Sequence, residues 1–418
     1  FATSCSLAEL PYQKIDVMST INNKSAAYLL MAGLLGAMAM LGPLSIDIVL
    51  PVLPTMASEL GEPLGRIEWS MTAIFTGGAV GQLLFGPLSD RYGRKPVILI
   101  ALVLFTISTI AVSRATSLEP IIFWRFIQGL VMASGRIIAN AAARDQYDHE
   151  RLGKLISLIF LVSVSASVVN PLIGGFMVTH FGWQSVFLVM TGYGVTLILA
   201  VIFFFTETIP KKDSTALRPV RILLNFSHAL KNREFNICLL SGGFAVAGFV
   251  AFLSASSGVA KSTFGLTAQE YSYAFAGVVA TFFMVSIFSN RFIERVGSYQ
   301  FIIIGGLLEA IGGLSMLAFA LSGSTQPLSL FGPMALFVVG FSFLYPLSTA
   351  KALNPFKAIA GTASSLLGFA QNIMGAAVSA LLAAFIDGTA LPMALAIAVS
   401  GVASAGIYTL YRGGKRPV

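Results

Sequence analysis

Long apolar runs joined by short polar stretches constrain this chain more than any other feature. Of its 418 residues, 56% are hydrophobic and 11% are charged, whereas soluble domains carry about 25% charged residues. A helix needs about 20 apolar residues to cross a bilayer, and these runs do not alternate as barrel strands do. The sequence therefore predicts an all-α polytopic membrane protein. Its net charge of +8 is interpreted as cytoplasmic loop charge rather than as a surface for nucleic acid.

The apolar runs predict twelve membrane spans in two groups of six. The longest connector contains Pro210 and Pro219, which are expected to break any helix there. The expected regions are an N-terminal segment 1–26, a six-helix half 27–206, a cytoplasmic linker 207–234, a second six-helix half 235–411 and a tail 412–418. The predicted spans are 27–52, 67–89, 96–114, 119–142, 152–177, 182–206, 235–259, 269–290, 299–321, 327–349, 356–385 and 389–411.

Basic residues orient this bundle. Among the Lys and Arg residues outside the spans, only Arg66, Arg114 and Lys261 lie on the side opposite the linker. Because cytoplasmic loops carry the excess of Lys and Arg, both termini and the linker are predicted to be cytoplasmic. The chain begins with Phe1 and residues 1–25 contain no apolar signal segment, so Met18 is the expected translation start.

A charged stretch separates the second and third spans. Its sequence is Gly86-Pro-Leu-Ser-Asp90-Arg91-Tyr-Gly93-Arg94-Lys95. We predict that it forms a gate: Gly86 allows a neighbouring helix to approach, Asp90 faces the N-terminal end of span 11, and Arg94 pairs with Asp145. Such contacts would hold one access state and break in the other. The alternative is a simple basic loop with turn residues.

The pattern of this stretch returns about half a chain later. Gly86-x-x-x-Asp90-Arg91-x-Gly93 is matched by Asn290-x-x-x-Glu294-Arg295-x-Gly297. Ser298 and Tyr299 replace Arg94 and Lys95, so the second copy is degenerate. The echo predicts two halves related in parallel, with spans 2–3 and 8–9 in equivalent places.

Ionisable residues within spans are functional candidates by default. Asp47 in span 1 and Arg125 in span 4 lie at similar depths. Burial favours the neutral form of a carboxylic acid, so Asp47 is predicted to bind and release a proton, and Arg125 is expected to pair with it. The alternatives are an acid that reaches water at the membrane interface and an arginine that snorkels to the headgroups.

Weaker candidates lie in other spans. Arg136 follows Arg125 by three helical turns and either lines a cavity or snorkels, while Gln128, Tyr345 and Gln371 are candidates for a substrate cavity. Glu309 in span 9 is either structural or a second proton site. The cysteines and histidines form no metal-ligand pattern, and no catalytic grouping or phosphate-binding loop is present in the sequence. We therefore expect no metal, no cofactor and no enzyme activity.

Span 5 contains Asn170-Pro171-Leu-Ile-Gly174-Gly175. A proline within a helix introduces a kink, and paired glycines allow close helix packing. The segment is therefore predicted to be a kinked helix with a tightly packed face.

Together these motifs resemble the major facilitator superfamily and, within it, the Bcr/CflA branch of drug:H+ antiporters. The resemblance also rests on Ser-Ile-Asp47-Ile-x-Leu-Pro-x-x-Pro, Arg125-x-x-Gln128-Gly129, Arg144-Asp145-x-Tyr147 and Ala360-Gly-Thr-Ala-Ser-Ser365. Asn170–Gly175 is similar to the Gly-Pro-x-x-Gly-Gly signature of the exporters, with Asn170 replacing the first glycine.

The resemblance implies a fold of twelve transmembrane helices in a bacterial inner membrane. It further implies proton transfer at Arg125 and efflux of small hydrophobic compounds, such as amphenicols and bicyclomycin, by a monomer driven by the proton gradient. Some multidrug relatives carry a second acid where this chain has Ala39, which favours a neutral substrate. The alternatives are export of an endogenous metabolite such as a nucleoside or siderophore, proton-coupled import of a metabolite, and a membrane enzyme or receptor.

Overall fold

The structure is a computed structural model that describes residues 17–147, 149–209, 212–385 and 388–412. Side-chain surroundings are described for these residues except 17–27, 149–150, 219, 221, 288–296, 357–358 and 411–412. Twelve helical segments in this part of the chain are long and apolar enough to cross a membrane. The predicted all-α architecture with twelve spans is therefore confirmed.

Fifteen α-helices are present in the described residues. They are α1 Val17–Ala39, α2 Leu41–Asp47, α3 Leu53–Leu60, α4 Leu64–Tyr92, α5 Arg94–Ser113, α6 Leu118–Gln146, α7 His149–Phe181, α8 Gln184–Phe204, α9 Pro219–Leu230, α10 Arg233–Phe264, α11 Ala268–Val296, α12 Ser298–Leu321, α13 Leu328–Leu353, α14 Ala360–Phe385 and α15 Leu391–Arg412. Two 3₁₀ helices, Leu50–Val52 and Asn354–Ile359, complete the set.

The first span is broken where the sequence predicted one helix over 27–52. It consists of α1, α2, a 3₁₀ turn and α3, and it continues to Leu60. Pro51 and Pro54 cannot donate the N–H bonds that a continuous helix would give to the carbonyls of Asp47 and Leu50. The chain turns helical again at Leu53 because proline is tolerated in a first helical turn.

The membrane helices form two halves that meet along two helix pairs. In the N-terminal half α4 packs against α6 and α5 against α8, and in the C-terminal half α12 packs against α13 and α15. Between the halves, α4 packs against α14 and α7 against α11. Span 2 thus meets span 11 and span 5 meets span 8, as expected when two similar halves are exchanged by a pseudo-two-fold axis.

The internal sequence repeat is also present in the backbone conformation at two glycines. Gly93 and Gly297 precede α5 and α12, with φ angles of 110° and 92°. Both angles lie in the region that glycine adopts readily and other residues rarely do. The side chains of Asn290, Glu294 and Arg295 lie outside the described side chains.

The linker between the halves contains a helix, so the expectation that its prolines exclude one is wrong at Pro219. This residue occupies the first turn of α9, where its missing N–H has no helical partner to lose. One side of α9 exposes Val220 and Leu223, and the other side presents Ile222 and Phe226 to the interior. Pro210 lies outside the described residues.

Two faces of the bundle are named below by their connections. The loop face carries the α4–α5 connection at Gly93 and the linker, and the backbone N–H of Asp213 donates to the carbonyl of Asp90 there at 3.0 Å. The far face carries the α3–α4 and α5–α6 connections, where Arg66 and Glu119 form an ion pair at 3.1 Å.

Candidate functional site

A cavity of about 600 Å³ lies between the two halves on the loop face. Helices α4 and α6 line it from one half, α13 and α14 line it from the other, and Ile222 and Phe226 of α9 contribute from the linker. Gln82 of α4 and Gln371 of α14 both line it, and the Gln82 amide lies against Gly368 of the other half. Within the described chain, no group of three or more His, Cys, Asp or Glu side chains converges as metal ligands would.

Three of the four predicted cavity residues line this cavity. They are Arg136, Tyr345 and Gln371. Gln128 does not line it, because this fully buried side chain accepts a hydrogen bond from Arg125 at 2.7 Å. The prediction that Gln128 lines the cavity is therefore wrong. Gln128 lies one helical turn from Arg125 on the same side of α6, so it contacts that guanidinium instead of the cavity.

Arg136 is exposed to the cavity rather than to lipid headgroups. No hydrogen bond or ion pair joins its guanidinium to the described side chains. Asn140 follows one turn later on the same wall. On the opposite wall, the ring of Tyr345 stacks on Phe341 with centroids 4.9 Å apart and planes 10° apart. The cavity thus offers two exposed cations, Arg136 and Arg144, together with amide groups and a flat aromatic surface.

The predicted Arg94–Asp145 pair is present at the loop face. Arg94 Nε lies 3.1 Å from Asp145 Oδ2, and Arg94 Nη1 lies 2.5 Å from Asp90 Oδ1 and 2.6 Å from Ser89 Oγ. The Arg94 side chain is only 8% exposed. A buried guanidinium with two carboxylates and a hydroxyl has charge-assisted hydrogen bonds in several directions, so Arg94 ties α4, α5 and α6 together.

Glu207 completes this network and was missed in the sequence. It accepts the backbone N–H bonds of Arg94 at 2.9 Å and Lys95 at 3.2 Å, which are the first two of α5. Partial burial raises the pKa of the Glu207 carboxyl, but four backbone N–H donors outweigh it and hold the pKa below its usual range. A Cβ at Gly93 would lie 2.5 Å from Glu207 Oε2. The available signal was an acid just after span 6, which is typical of any polar linker.

Two contacts of the predicted gate are absent among the described residues in this arrangement. A Cβ at Gly86 would meet no atom within 4 Å, so no helix packs closely on it. Among the hydrogen bonds of the described residues, none joins the Asp90 carboxylate to the start of α14. The reason is the cavity itself, which separates Gly86 and Asp90 from Ala360 and Gly361 on the opposite wall.

The other two cations of the stretch contact their own half. Arg91 lies over the ring of Tyr92, with the guanidinium carbon 5.4 Å from the centroid. Lys95 Nζ donates to the carbonyl of Ile202 at 3.0 Å. Both contacts fix the loop without spanning the cavity.

Asp47 lies at the end of α2, where the first span breaks. Its side chain is buried, the Ser167 hydroxyl of α7 lies against it, and its Oδ2 has no hydrogen-bond partner among the described residues. A buried carboxyl group with an open hydrogen-bonding position favours its protonated form. The geometry at Asp47 therefore suits a group that exchanges a proton.

Arg125 does not form the predicted ion pair with Asp47. Its Nη1 donates to the backbone carbonyl of Ser45 at 2.8 Å, and the side chain is fully buried. This carbonyl is free because the N–H of Val49 turns back to Ile46 at 3.1 Å, instead of closing an α-helical bond. Arg125 therefore stabilises the break in span 1, two residues from Asp47.

The paired glycines of span 5 contact two different partners. A Cβ at Gly174 would collide with the carbonyl of Ile48, next to Asp47, and a Cβ at Gly175 would collide with Ser272 of α11 in the other half. Pro171 lies within the continuous helix α7, and Asn170 is buried beside it. This motif therefore packs α7 against the broken span and across the boundary between the halves.

Glu309 is buried in the C-terminal half, away from the cavity. A Cβ at Gly340 of α13 would lie 2.8 Å from the Glu309 nitrogen, and one at Gly401 of α15 would lie 2.5 Å from its carbonyl oxygen. Ser404 is the polar side chain beside its carboxyl group. The close packing of three helices here favours the structural alternative for Glu309.

A third buried acid, Glu68, was not singled out in the sequence. It is 1% exposed, and neither carboxyl oxygen has a hydrogen-bond partner among the described residues. The signal was available, because Glu68 is the second residue of the predicted span 67–89. Its position near the end of that span made it resemble an ordinary interfacial charge.

A twelve-helix bundle with a polar cavity between two similar halves is the architecture of a solute transporter rather than of an enzyme. The family model for the Major Facilitator Superfamily matches residues 35–379. The chain belongs to the Major Facilitator Superfamily, and it is a multi-pass protein of a bacterial inner membrane.

Relatives among known proteins agree with the branch that the motifs indicate. A bicyclomycin resistance protein homolog of Haemophilus influenzae is 30% identical over 86% of this chain and 90% of its own length. The multidrug resistance protein MdtL of Citrobacter koseri is 31% identical over 87% and 90%. Multidrug resistance protein D of Escherichia coli is 30% identical over 83% and 86%.

The fold is also similar to a solved structure. The xylose transporter XylE from E. coli, in a partially occluded inward open conformation, matches with a TM-score of 0.72 at 13% sequence identity. The match covers 94% of this chain and 98% of that chain.

Proposed function

We propose that this protein exports small drug-like compounds across the inner membrane in exchange for protons. The observation that carries the proposal is the asymmetry of the bundle. A cavity reaches the loop face between the halves, while Gly175 and Ser272 close the boundary on the other side of Asp47. The relatives are named bicyclomycin or multidrug resistance proteins, which supports drugs as the transported substrates.

We place the loop face in the cytoplasm. This orientation is supported by the excess of Lys and Arg in the loops on that face. Substrate then enters the cavity from the cytoplasm or the inner leaflet. Since one chain supplies all the cavity walls, the proposed working unit is a monomer that needs no cofactor besides the proton gradient.

The proposed substrate is a small neutral compound with a hydrophobic ring. Tyr345 offers a flat surface for stacking, and Gln82 and Gln371 offer amide groups for hydrogen bonding. Arg136 would donate to an electron-rich group of the substrate and would repel cations. The Ala39 position, which carries an acid in some multidrug relatives, agrees with this preference. Amphenicols and bicyclomycin-like compounds fit the description.

The proposed coupling acts through the break in the first span. Loss of a proton from Asp47 creates a charge beside the Ile48 carbonyl, against which Gly174 packs. Arg125 donates to the carbonyl of Ser45, which is two residues from Asp47, so a movement at Asp47 would reach Arg125 without a direct ion pair. Movement of this segment would loosen α7 from α11 and open the far face by rocking of the halves.

Closure of the loop face would complete the cycle. As the cavity collapses, Gly86 would accept close packing, and Asp90 would approach the positive end of α14. Both contacts are absent in the present arrangement because the walls are apart. Reprotonation of Asp47 from outside would then reset the transporter.

The test is proton release from purified, detergent-solubilised protein when chloramphenicol is added. We expect release from the wild type, none from Asp47→Asn, and wild-type release from the matched control Glu309→Gln, whose acid is remote from the cavity. Equal release from the wild type and Asp47→Asn would contradict the coupling role of Asp47. Binding without release from the wild type would contradict antiport.

A further inference from the structure

Glu68 lies on the side of α4 that faces the other half. Leu64 and Thr72 are one helical turn before and after it, on the same side of the helix. A Cβ at Gly258 of α10 would collide with the side chain of Leu64. Thr72 Oγ1 lies 2.9 Å from Ser379 Oγ of α14. Glu68 is therefore enclosed between the halves, close to the far face.

The surroundings of Glu68 supply small hydroxyl groups. Ser379 also accepts a hydrogen bond from Ser254 of α10 at 2.9 Å. Ser257, which precedes Gly258, is buried and has a hydroxyl without a hydrogen-bond partner in the described structure. Ser257 also lines a cavity of about 210 Å³ between the halves, so the seam is polar enough to admit water if the halves separate.

Glu68 has no neutralising cation in this seam among the described residues. Helix α14 carries no charged residue over its described length. On α6, Arg125 Nη1 donates to the Ser45 carbonyl and to Gln128, and its Nη2 lies 3.4 Å from Met71 Sδ of α4. Its Nε has no hydrogen-bond partner among the described residues. Arg66 pairs with Glu62 and Glu119 at the surface, while Lys261 of α10 is exposed.

A carboxylate without a cation or a hydrogen-bond donor is strongly disfavoured in a protein interior. Since both oxygens of Glu68 lack partners, the closed seam accommodates the neutral acid. Separation of the halves at the far face would expose the side chain to water, where the charged form is stable.

We infer that Glu68 is a second proton-binding residue whose protonation is required for the far face to close. The proton comes from the far-face solution and neutralises the carboxylate before the seam reforms. Low pH on that side therefore favours closure and high pH favours opening. This inference rests on the rocking motion of the proposed function, but it depends neither on Asp47 nor on the identity of the substrate.

This pH dependence, in which low external pH favours closure of the far face, suits an exporter. After a substrate leaves through an open far face, uptake of an external proton by Glu68 would favour return to the closed arrangement. Glu68 would then act as a gate-closing proton site, distinct from Asp47 beside the broken span.

The experiment measures far-face opening without any substrate. Spin labels are placed at Thr116→Cys and Ser322→Cys, exposed positions on the far-face connections of the two halves. In this parent protein Cys5 and Cys238 are replaced by Ser and Asp47 by Asn, so that Asp47 cannot contribute to a pH response. Pulsed dipolar spectroscopy then reports the label separation as pH is raised. We expect the long-distance population of the parent to grow severalfold with rising pH, and Glu68→Gln to lose this response and stay at the short distance.

Two further variants keep the result interpretable. Glu68→Asp retains a titratable acid and should keep the response with a shifted midpoint, whereas Glu309→Gln should respond like the parent. A pH response in Glu68→Gln equal to that of the parent would overturn the inference, as would a parent whose distances do not change with pH. Neither result depends on chloramphenicol-induced proton release, so failure of the drug proposal remains a separate outcome.

Discussion

The two halves fix their loop-face ends with different chemistry. In the N-terminal half, Arg94 lies between the carboxylates of Asp90 and Asp145. In the C-terminal half, Lys351 Nζ donates to Tyr408 Oη at 2.9 Å and lies 3.5 Å from Glu234 Oε1. Aromatic rings also surround this lysine, with Nζ 5.1 Å from the centroid of Tyr299 and 5.4 Å from that of Tyr408.

This difference explains the degenerate echo in the sequence. The C-terminal copy has Ser298 and Tyr299 where the N-terminal copy has Arg94 and Lys95. The cation is instead supplied by Lys351 from α13, and Tyr299 contributes its ring. Asp90 and Arg94 line the cavity between the halves. Lys351 is not among the residues that line it, and it is attracted by the ring quadrupoles of Tyr299 and Tyr408 within its own half. We therefore expect the N-terminal cluster to be the one that takes part in gating.

The largest expected effect is that of Arg94→Ala. Removing the guanidinium leaves Asp145, whose side chain is 17% exposed, without its ion-pair partner. Breaking a buried pair in this way costs about 3–5 kcal/mol, so transport should be lost and the melting temperature should fall. Drug efflux from cells and thermal unfolding in detergent measure the two effects.

Arg94→Lys is the matched control for this prediction. It keeps the positive charge but cannot reach both carboxylates with a planar fork, so it should recover part of the stability and little of the transport. Wild-type efflux in Arg94→Ala would show that the N-terminal cluster is not part of the gate.

A smaller effect is expected from a pair of glycine substitutions that compares the halves directly. Gly93→Ala and Gly297→Ala each impose a strained backbone angle on alanine, at a cost of about 1–3 kcal/mol. At Gly93 the new Cβ would also lie 2.5 Å from Glu207, which caps α5. At Gly297 the nearest atom is the flexible end of Gln300, at 2.8 Å. Thermal unfolding should therefore show the larger loss for Gly93→Ala, and equal losses would contradict a special role for the Glu207 cap.

The large features of the fold could be predicted from sequence because they follow from local chemistry. Twelve apolar runs specify twelve spans, and Arg94 and Asp145 belong to loops that must meet at one face. The glycine echo also survives in the backbone at Gly93 and Gly297. In each case, the relevant information lies in residue type and in position along the chain.

The missed features depend on contacts that a linear pattern does not contain. Arg125 binds the Ser45 carbonyl because the chain breaks at Val49 and frees that group, so depth alone suggested the wrong partner. Glu207 caps a helix that begins more than a hundred residues earlier. The importance of Glu68 depends on which side of α4 faces the other half, and this is a property of packing.

A moderate effect on acid stability is expected from Glu207→Gln. The folded state holds the pKa of Glu207 below its usual value, so the carboxylate contributes stability above the pKa of the unfolded chain and loses it as pH falls through the folded pKa. Loss of a helix cap costs about 1 kcal/mol, and partial solvent exposure reduces this value.

The measurement is thermal unfolding of wild type and Glu207→Gln from neutral to acidic pH. The variant should be less stable at neutral pH, and the difference should shrink under acid. Tyr408→Phe serves as the comparison from the other half, because the Lys351–Tyr408 hydrogen bond joins two groups that keep their protons throughout this range. A constant difference for Glu207→Gln would argue against the charged cap.

The smallest expected effect on stability comes from substitutions that compare the two tyrosines beside Lys351. Tyr408→Phe removes the hydroxyl that accepts the Lys351 hydrogen bond at 2.9 Å, whereas Tyr299→Phe keeps the ring face beside the lysine. A hydrogen bond from a charged donor contributes about 1.5–3 kcal/mol when buried, but the Lys351 side chain is 32% exposed, and solvent-exposed charged pairs contribute only about 0.2–1 kcal/mol. Tyr408→Phe should therefore lower the melting temperature by a few degrees, and Tyr299→Phe by less.

Both variants should keep wild-type efflux, because the cluster lies outside the cavity. A loss of efflux without a loss of stability would mean that the C-terminal cluster also moves during transport, and the contrast between the halves would then fail.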